Sequence, residues 1–384
     1  MPRAQTRLPS DSADSRVVGS FGDPSAGPTV VAFGALHGNE PAGLSAIDRV
    51  LTIMRSGALD VRGRFVGIMG NRAALAAGRR FVGRDLNRGW TAESCARSAV
   101  ARADQTPEDA EQREILAALR TVAAAASGPL VVLDLHSTSG PASPFSVAPD
   151  LLRNRPLAVN LPVPTVLGLE EIIDGTLLGY LCEQGHLGLA IEGGQHDAPQ
   201  TAELLEACVW FSLATAGIVE GTSVPGREEK LWRLRAAGVG KPTLVEIKHR
   251  HGVAPDDAFV MEPGYSNFIS VDKGEVVAHD RRGPIAVPRA GLMMLPRYQD
   301  EGDDGFFIAQ PITPAWLRIS KAAREARLEY LLRWAPGIRR DNRDQLTLLG
   351  GAPSEWLLGL LHLLGYRGLR PTAEGLEFFR RRRG

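Results

Sequence analysis

The 384-residue chain is sparing with cysteine, aromatic residues and net charge. Its three cysteines, Cys95, Cys182 and Cys208, are odd in number and far apart, so they build neither a disulfide framework nor a thiolate metal cage. A reducing compartment, the cytoplasm, is the simplest reading. Lys+Arg and Asp+Glu number 44 each, and attraction to phosphate backbones or anionic lipid needs a positive surplus on one face. Nucleic acid and membrane surfaces are therefore not expected partners. The leader, residues 1–15, is rich in Arg, Ser and Asp and has no apolar core of the length a signal peptide needs. The longest apolar stretch, Trp356 to Leu364, is interrupted by Gly359 and His362 and falls short of the roughly 20 residues that span a bilayer.

What is present suits a globular protein with many turns: 44% hydrophobic residues, 42 Gly and 26 Pro. At about 150 residues per domain, the length suggests two domains and an appendage. Short β-branched runs (29–35, 64–69, 130–135, 164–169, 187–191) alternate with helical patterns (41–54, 107–125, 176–183, 198–216), the pattern of βα units on a largely parallel sheet. After a mobile leader at 1–15, one α/β domain is expected over 16–222. The stretch 78–110 is long for a connection and reads as a functional loop. From 223 to 311 short strands and Pro-Gly, Lys-Gly and Asp-Gly turns predict a small β domain. Residues 312–384 read as a helical extension, with helices over 314–334 and 355–364. Its apolar face must be buried, which makes it a packing or homo-oligomer element. The closing run Arg380 to Arg383 reads as a solvated tail.

Chemistry-bearing residues gather at strand ends. His37-Gly38-Asn39-Glu40 follows the run Thr29 to Leu36, and in open α/β sheets ligands bind outside the carboxyl ends of strands. One turn of chain lets the imidazole and the carboxylate reach the same ion, although a surface turn with Glu40 on the positive helix end is the plainer reading of this motif alone. Asp134-Leu135-His136-Ser137 ends the run Leu130 to Leu135 and brings a second histidine. Two His and one carboxylate with an open fourth position compose a catalytic zinc site, and the same ligands also serve non-haem iron. Glu192, closing the run Leu187 to Ile191, is placed to move protons to and from a hydrolytic water and a leaving nitrogen. In the long loop, Arg79-Arg80 and Asp85-Leu86-Asn87-Arg88 hold guanidiniums suited to an oxyanion or a substrate carboxylate, or else simply a solvated basic surface.

Together with Asn71, these motifs, in this order over roughly residues 28–220, resemble the succinylglutamate desuccinylase/aspartoacylase family of the zinc carboxypeptidase superfamily. The resemblance implies a mostly parallel zinc-carboxypeptidase-like sheet with helices on both faces, and a β domain to about 311 capping the cleft. It implies one Zn2+ per chain on His37, Glu40 and His136, and Glu192 as general base and acid. Arg80 would polarise the scissile carbonyl, Asn87 and Arg88 would bind a substrate carboxylate, and Asp85 would orient the loop. The implied activity is hydrolysis of a small anionic N-acyl amino acid or acylated amine. A carboxypeptidase acting on peptides and a catalytically silent binding protein are the rival readings. The segment 176–184 lacks an arginine that aspartoacylases carry before the glutamate motif, which argues against N-acetylaspartate as substrate.

Other signals are weaker. Gly238 to Thr243 fails the phosphate-loop spacing, and His249 with His251 reads as a satisfied pair on one strand face. His196 could line a pocket but no motif supports it. Cys182 and Cys208 sit on apolar helix faces, and Lys273 is a turn residue.

Overall fold

The computed structural model describes residues 16–380 apart from positions 58, 101, 103, 343, 351 and 352. The leader 1–15 and three of the four arginines of the terminal run lie outside the described residues. The strands are β1 (Val17–Gly22), β2 (Thr29–Gly34), β3 (Arg64–Met69), β4 (Val131–Thr138), β5 (Phe145–Val147), β6 (Thr165–Leu167), β7 (Leu187–Gln195), β8 (Leu244–Gly252), β9 (Val260–Met261), β10 (Ser270–Val271), β11 (Val276–Asp280), β12 (Gly283–Ala286), β13 (Gly291–Met294) and β14 (Asp304–Pro311). Eleven of them form one sheet in the order β1-β3-β2-β4-β7-β5-β6-β8-β14-β13-β10. Its centre, β3-β2-β4-β7, is parallel. Antiparallel pairing returns at β1 on one side and at β5 and the β8-β14-β13-β10 run on the other.

The central strands read as apolar runs because both of their faces are covered. In β2, Val30 and Ala32 point to one side and Val31 and Phe33 to the other, and all four are fully buried. The first pair packs under α1 (Ala42–Arg55) and, with α5 (Arg155–Asn160) and α8 (Gln200–Thr215), under Ile47, Val50, Leu205 and Trp210. The second pair packs under α4 (Pro107–Ala125) and α7 (Leu177–Glu183), against Ile115, Leu119, Leu177 and Leu181. The small helix α2 (Arg72–Ala77) leads into the long loop and α3 (Ala92–Ser98) lies within it, α6 (Leu169–Ile172) follows β6, and α9 (Arg227–Ala237) precedes β8.

The strands expected to form a detached β domain mostly do not. β8, β10, β13 and β14 extend the central sheet, and β9, β11 and β12 make a separate three-stranded antiparallel sheet. The expected helical extension is also corrected. Helices occupy α10 (Pro314–Glu325) and α11 (Glu355–Leu363), while β15 (Ile338–Arg340), β16 (Gln345–Leu349), β17 (Gly368–Thr372) and β18 (Gly375–Phe379) form a four-stranded antiparallel sheet. The helix expected through 334 ends at Ala326 because Arg327 turns left-handed, with φ +56°, and a 3-10 turn follows. Arg380 is not a solvated charge either: it is buried, donating to Glu329 Oε1 at 3.0 Å and to the Leu364 carbonyl.

This C-terminal unit docks on the sheet through buried charges beside the apolar contacts of Trp316 and Leu317. Asp150, whose side chain is 0% exposed, meets Arg155 at 2.9 Å, Arg324 at 2.5 Å and Arg367 at 2.7 Å. Arg367 also reaches Glu246 at 2.7 Å, and His362 Nδ1 lies 2.7 Å from the same carboxylate. Burial alone would raise both carboxyls, yet the arginines hold Asp150 and Glu246 well below the ordinary carboxylate range. Groups depressed in this way stabilise the fold above their unfolded pKa of about 4, and the contribution is lost as pH falls toward the folded values. Cutting one partner out of such a network leaves unpaired buried charge. Asp150→Ala is expected to cost about 3–5 kcal/mol at neutral pH, and the difference in chemical-denaturation stability between the two proteins should shrink below pH 4; a pH-independent difference under 1 kcal/mol would contradict the account.

Candidate active site and metal centre

His37 and Glu40 stand on the turn that carries the chain from β2 into α1. That turn is tight: Ala35 adopts φ +57° and its carbonyl accepts the Asn71 amide at 2.8 Å. Gly38 is required by close approach, since a Cβ there would fall 2.1 Å from the Ala74 carbonyl carbon. The motif is thus pressed against α2, whose first turn Asn71 caps by accepting from the Ala74 amide. His136 and Glu192 close the neighbouring parallel strands β4 and β7, where they are register partners. The parallel centre therefore delivers all four residues to one edge, as expected of a ligand site outside strand carboxyl ends.

Glu40 sits between the two histidines, 2.8 Å from His37 Nδ1 and 2.9 Å from His136 Nδ1, and its Oε2 accepts the Ser137 amide at 3.0 Å. Only 2% of Glu40 is exposed. Burial would raise its carboxyl, but the two imidazoles hold it well below its ordinary value. For His136, burial works against the imidazolium, yet Asp134 and Glu40 together raise it well above the usual histidine range. Each imidazole is braced from behind: His37 Nε2 lies 3.2 Å from Asp85 Oδ1, and His136 Nε2 lies 3.1 Å from Asp134 Oδ2.

This arrangement fits a metal ion. One donor atom from each of His37, Glu40 and His136 lies within 4.8 Å of the other two. The braced Nε2 atoms leave both Nδ1 lone pairs turned inward, the carboxylate-histidine pattern that sets tautomer and ring orientation at metal sites. Glu40, Asp85 and Asp134 set three buried carboxylates against the one Arg80 guanidinium, with the Glu192 carboxyl beside them, and buried charge requires compensation. Two of their oxygens, Glu192 Oε2 and Asp134 Oδ1, are buried with no hydrogen-bond partner.

Glu192 faces the same cavity. Burial pushes its carboxyl up to about 8, with Glu40 and Asp134 adding to the rise and His136 and Arg80 opposing it. Arg80 grips Asp85 Oδ2 through Nε at 3.1 Å and Nη2 at 2.9 Å, while Nη1 lies 3.6 Å from Glu40. Asp85 also accepts the Asn87 amide at 2.8 Å and lies between Arg80 and His37. The Asn71 side chain and the backbone amides of Val82, Gly83 and Arg84 converge on buried Glu108, which holds the rest of the loop.

Asn87 and Arg88 line the cavity but arrive engaged. Asn87 Oδ1 accepts the Leu177 amide at 2.8 Å and its Nδ2 lies 3.4 Å from His136 Nε2, while Arg88 donates to Asp304 Oδ2 at 2.6 Å. The cavity holds about 130 Å³ and is walled by the segment 295–304, which lies within the stretch 223–311 expected to cap the cleft but carries no motif of its own. That wall is pinned to the segments around the cavity: the Arg80 amide donates to Glu301 Oε2, Asn39 to Gln299, and the Tyr298 amide to Ser139 Oγ. His196 does line the cavity, with Nδ1 2.8 Å from Ser137 Oγ and a buried Nε2 that has no partner. Its position three residues beyond Gly193 was the only available signal.

The succinylglutamate desuccinylase/aspartoacylase catalytic domain profile matches residues 26–206. A curated relative, a probable aspartoacylase of Parasynechococcus marenigrum, is 33% identical over 171 residues, which are 43% of this chain and 52% of that protein. The chain therefore matches about half the length of that relative. Among solved structures, a succinylglutamate desuccinylase from Vibrio cholerae aligns with TM-score 0.56 at 20% identity, covering 75% of this chain and 82% of that one. The product-bound ectoine utilization protein of Ruegeria pomeroyi aligns with TM-score 0.55 at 20% identity over 74% and 86%. These likenesses show a shared fold. Over residues 26–206, just under half of its length, the chain thus matches the catalytic domain of the succinylglutamate desuccinylase/aspartoacylase family.

Proposed function

We propose that the protein is a zinc-dependent deacylase that hydrolyses the amide of a small anionic N-acyl amino acid or acylated amine. The observation that carries the reading is the buried His37-Glu40-His136 group with the unpartnered Glu192 carboxyl opening on the same small cavity. When bound there, the ion supplies Lewis-acid activation of water and carbonyl. Glu192, held in a site that tolerates both of its protonation states, takes a proton from the attacking water and returns it to the leaving nitrogen. Arg80, clamped by Asp85, presents its guanidinium toward the oxygen on which negative charge develops. Asn87 holds the start of α7 by accepting the Leu177 amide, and Arg88 shapes the polar wall with Asp304. The limited volume and the wall at 295–304 favour a small substrate over a peptide chain, and retention of ligands and base together speaks against a silent binding protein.

Two measurements check this reading. The buried carboxylates behind the ligands are expected to tune metal affinity, so Asp134→Asn should weaken zinc binding about 10- to 100-fold in competitive chelator titrations; unchanged affinity would remove Asp134 from that role. A panel of N-acetyl and N-succinyl amino acids beside C-terminal peptides should show release of the acyl group from a small substrate. Glu192→Gln should retain the metal and lower kcat by about 10²- to 10⁴-fold. Cleavage confined to peptide C-termini, or full activity without the Glu192 carboxylate, would overturn the proposal.

A further inference from the structure

We propose that Arg297, on the wall between β13 and β14, is the residue that anchors a carboxylate of the substrate. Three guanidiniums line the cavity: Arg80, Arg88 and Arg297. A guanidinium whose donors are already engaged by protein carboxylates has fewer left for the bidentate grip of a substrate carboxylate. Arg80 is committed to Asp85 through two nitrogens. Arg88 spends Nη2 on Asp304 and Nη1 on the Asn87 carbonyl, leaving only a buried Nε without a partner. Arg297 has no carboxylate within ion-pair distance among the described residues. Its Nη1 donates to the Gly302 carbonyl at 2.5 Å, and its Nε is buried without any partner.

The geometry places this unspent charge beside the reacting centre. Gly302 separates Arg297 from Arg80: a Cβ built on it would stand 3.8 Å from Arg80 Nε and 4.0 Å from Arg297 Cδ. The guanidinium carbon lies 4.9 Å from the Phe259 ring centroid, a cation-π contact that fixes the plane of the fork without using its hydrogen-bond donors. The backbone is fixed as well, since the Arg297 amide donates to the Gly305 carbonyl at 2.9 Å. Burial lowers the guanidinium from its ordinary value and the Arg80 charge adds to that, with Asp300, Asp303 and Asp304 opposing from a distance. An anion in the cavity would relieve this. The ligand class is a carboxylate on the amino-acid or acyl part of the substrate, held by a preorganised planar donor pair.

The assignment rests on reading the cavity as a deacylase site, and the experiment separates the two. Zinc-loaded wild-type, Arg297→Gln and Arg297→Lys proteins are compared by steady-state kinetics on the best N-acyl amino acid of the panel and on its carboxylate-capped methyl amide. Succinate is titrated calorimetrically into each protein, a readout that needs no turnover. Arg297→Gln is expected to raise KM about 10- to 100-fold with kcat within a few-fold, and to weaken succinate binding by a similar factor. The methyl amide should not distinguish the variants, and Arg297→Lys should recover part of the affinity. Unchanged KM and succinate affinity in Arg297→Gln, or an equal loss on the methyl amide, overturns the proposal. If no N-acyl substrate turns over yet succinate binding depends on Arg297, the anion site stands and the deacylase reading falls. Should Arg297→Gln fail to fold, Arg297→Lys decides: a several-fold rise in KM and weaker succinate binding support the anchor, and wild-type values in both contradict it.

Discussion

A carboxylate buried between two imidazoles is the constraint around which the rest of this protein is arranged. Glu40 is taken out of water almost completely, and isolated charge in such a place would neutralise itself or unfold the site. It remains anionic because His37, His136 and the Ser137 amide surround it. Each of those partners is then held by something further out: Asp85 and Asp134 behind the rings, Arg80 around Asp85, and the wall 295–304 around Arg80. Parallel strands make this possible at low cost. Register pairing puts His136 and Glu192 side by side at the ends of β4 and β7, and β2, on the other flank of β4, feeds the turn with His37 and Glu40 to the same edge.

The same principle of mutually satisfied buried charge recurs away from the site. Asp150 and Glu246 draw Arg155, Arg324 and Arg367 into the seam between the central sheet and the C-terminal unit. This seam touches the active site indirectly. α6, which begins at the cavity residues Leu169 and Glu170, packs against β17 of the C-terminal sheet. The C-terminal unit thus packs against one wall of the cavity.

Much of the site was legible in sequence because its signals are local. His37, Glu40, His136 and Glu192 each terminate an apolar run, and strand ends on a parallel sheet converge by topology. The two-sided burial of β2 and β4 was legible for the same reason, as unbroken apolar runs. What escaped depends on distant partners. β5 is three residues long and pairs antiparallel with β7, too short to leave a pattern. The strands β15 to β18 carry arginines and a proline, and only the Tyr366, Phe378 and Leu346 core beneath them turns that sequence into a sheet. The partner of Arg88 could not be read from sequence because Asp304 lies 216 residues away, and Arg297 belongs to no motif.

The central claim is that His37, Glu40 and His136 form one metal centre. X-ray absorption at the zinc edge on protein purified without added chelator tests it most directly. The account predicts a single ion per chain with nitrogen and oxygen neighbours at about 2.0–2.2 Å, two of them imidazoles, and collapse of that signature in His136→Ala. Sulfur neighbours, or a spectrum indifferent to loss of His136, would contradict it.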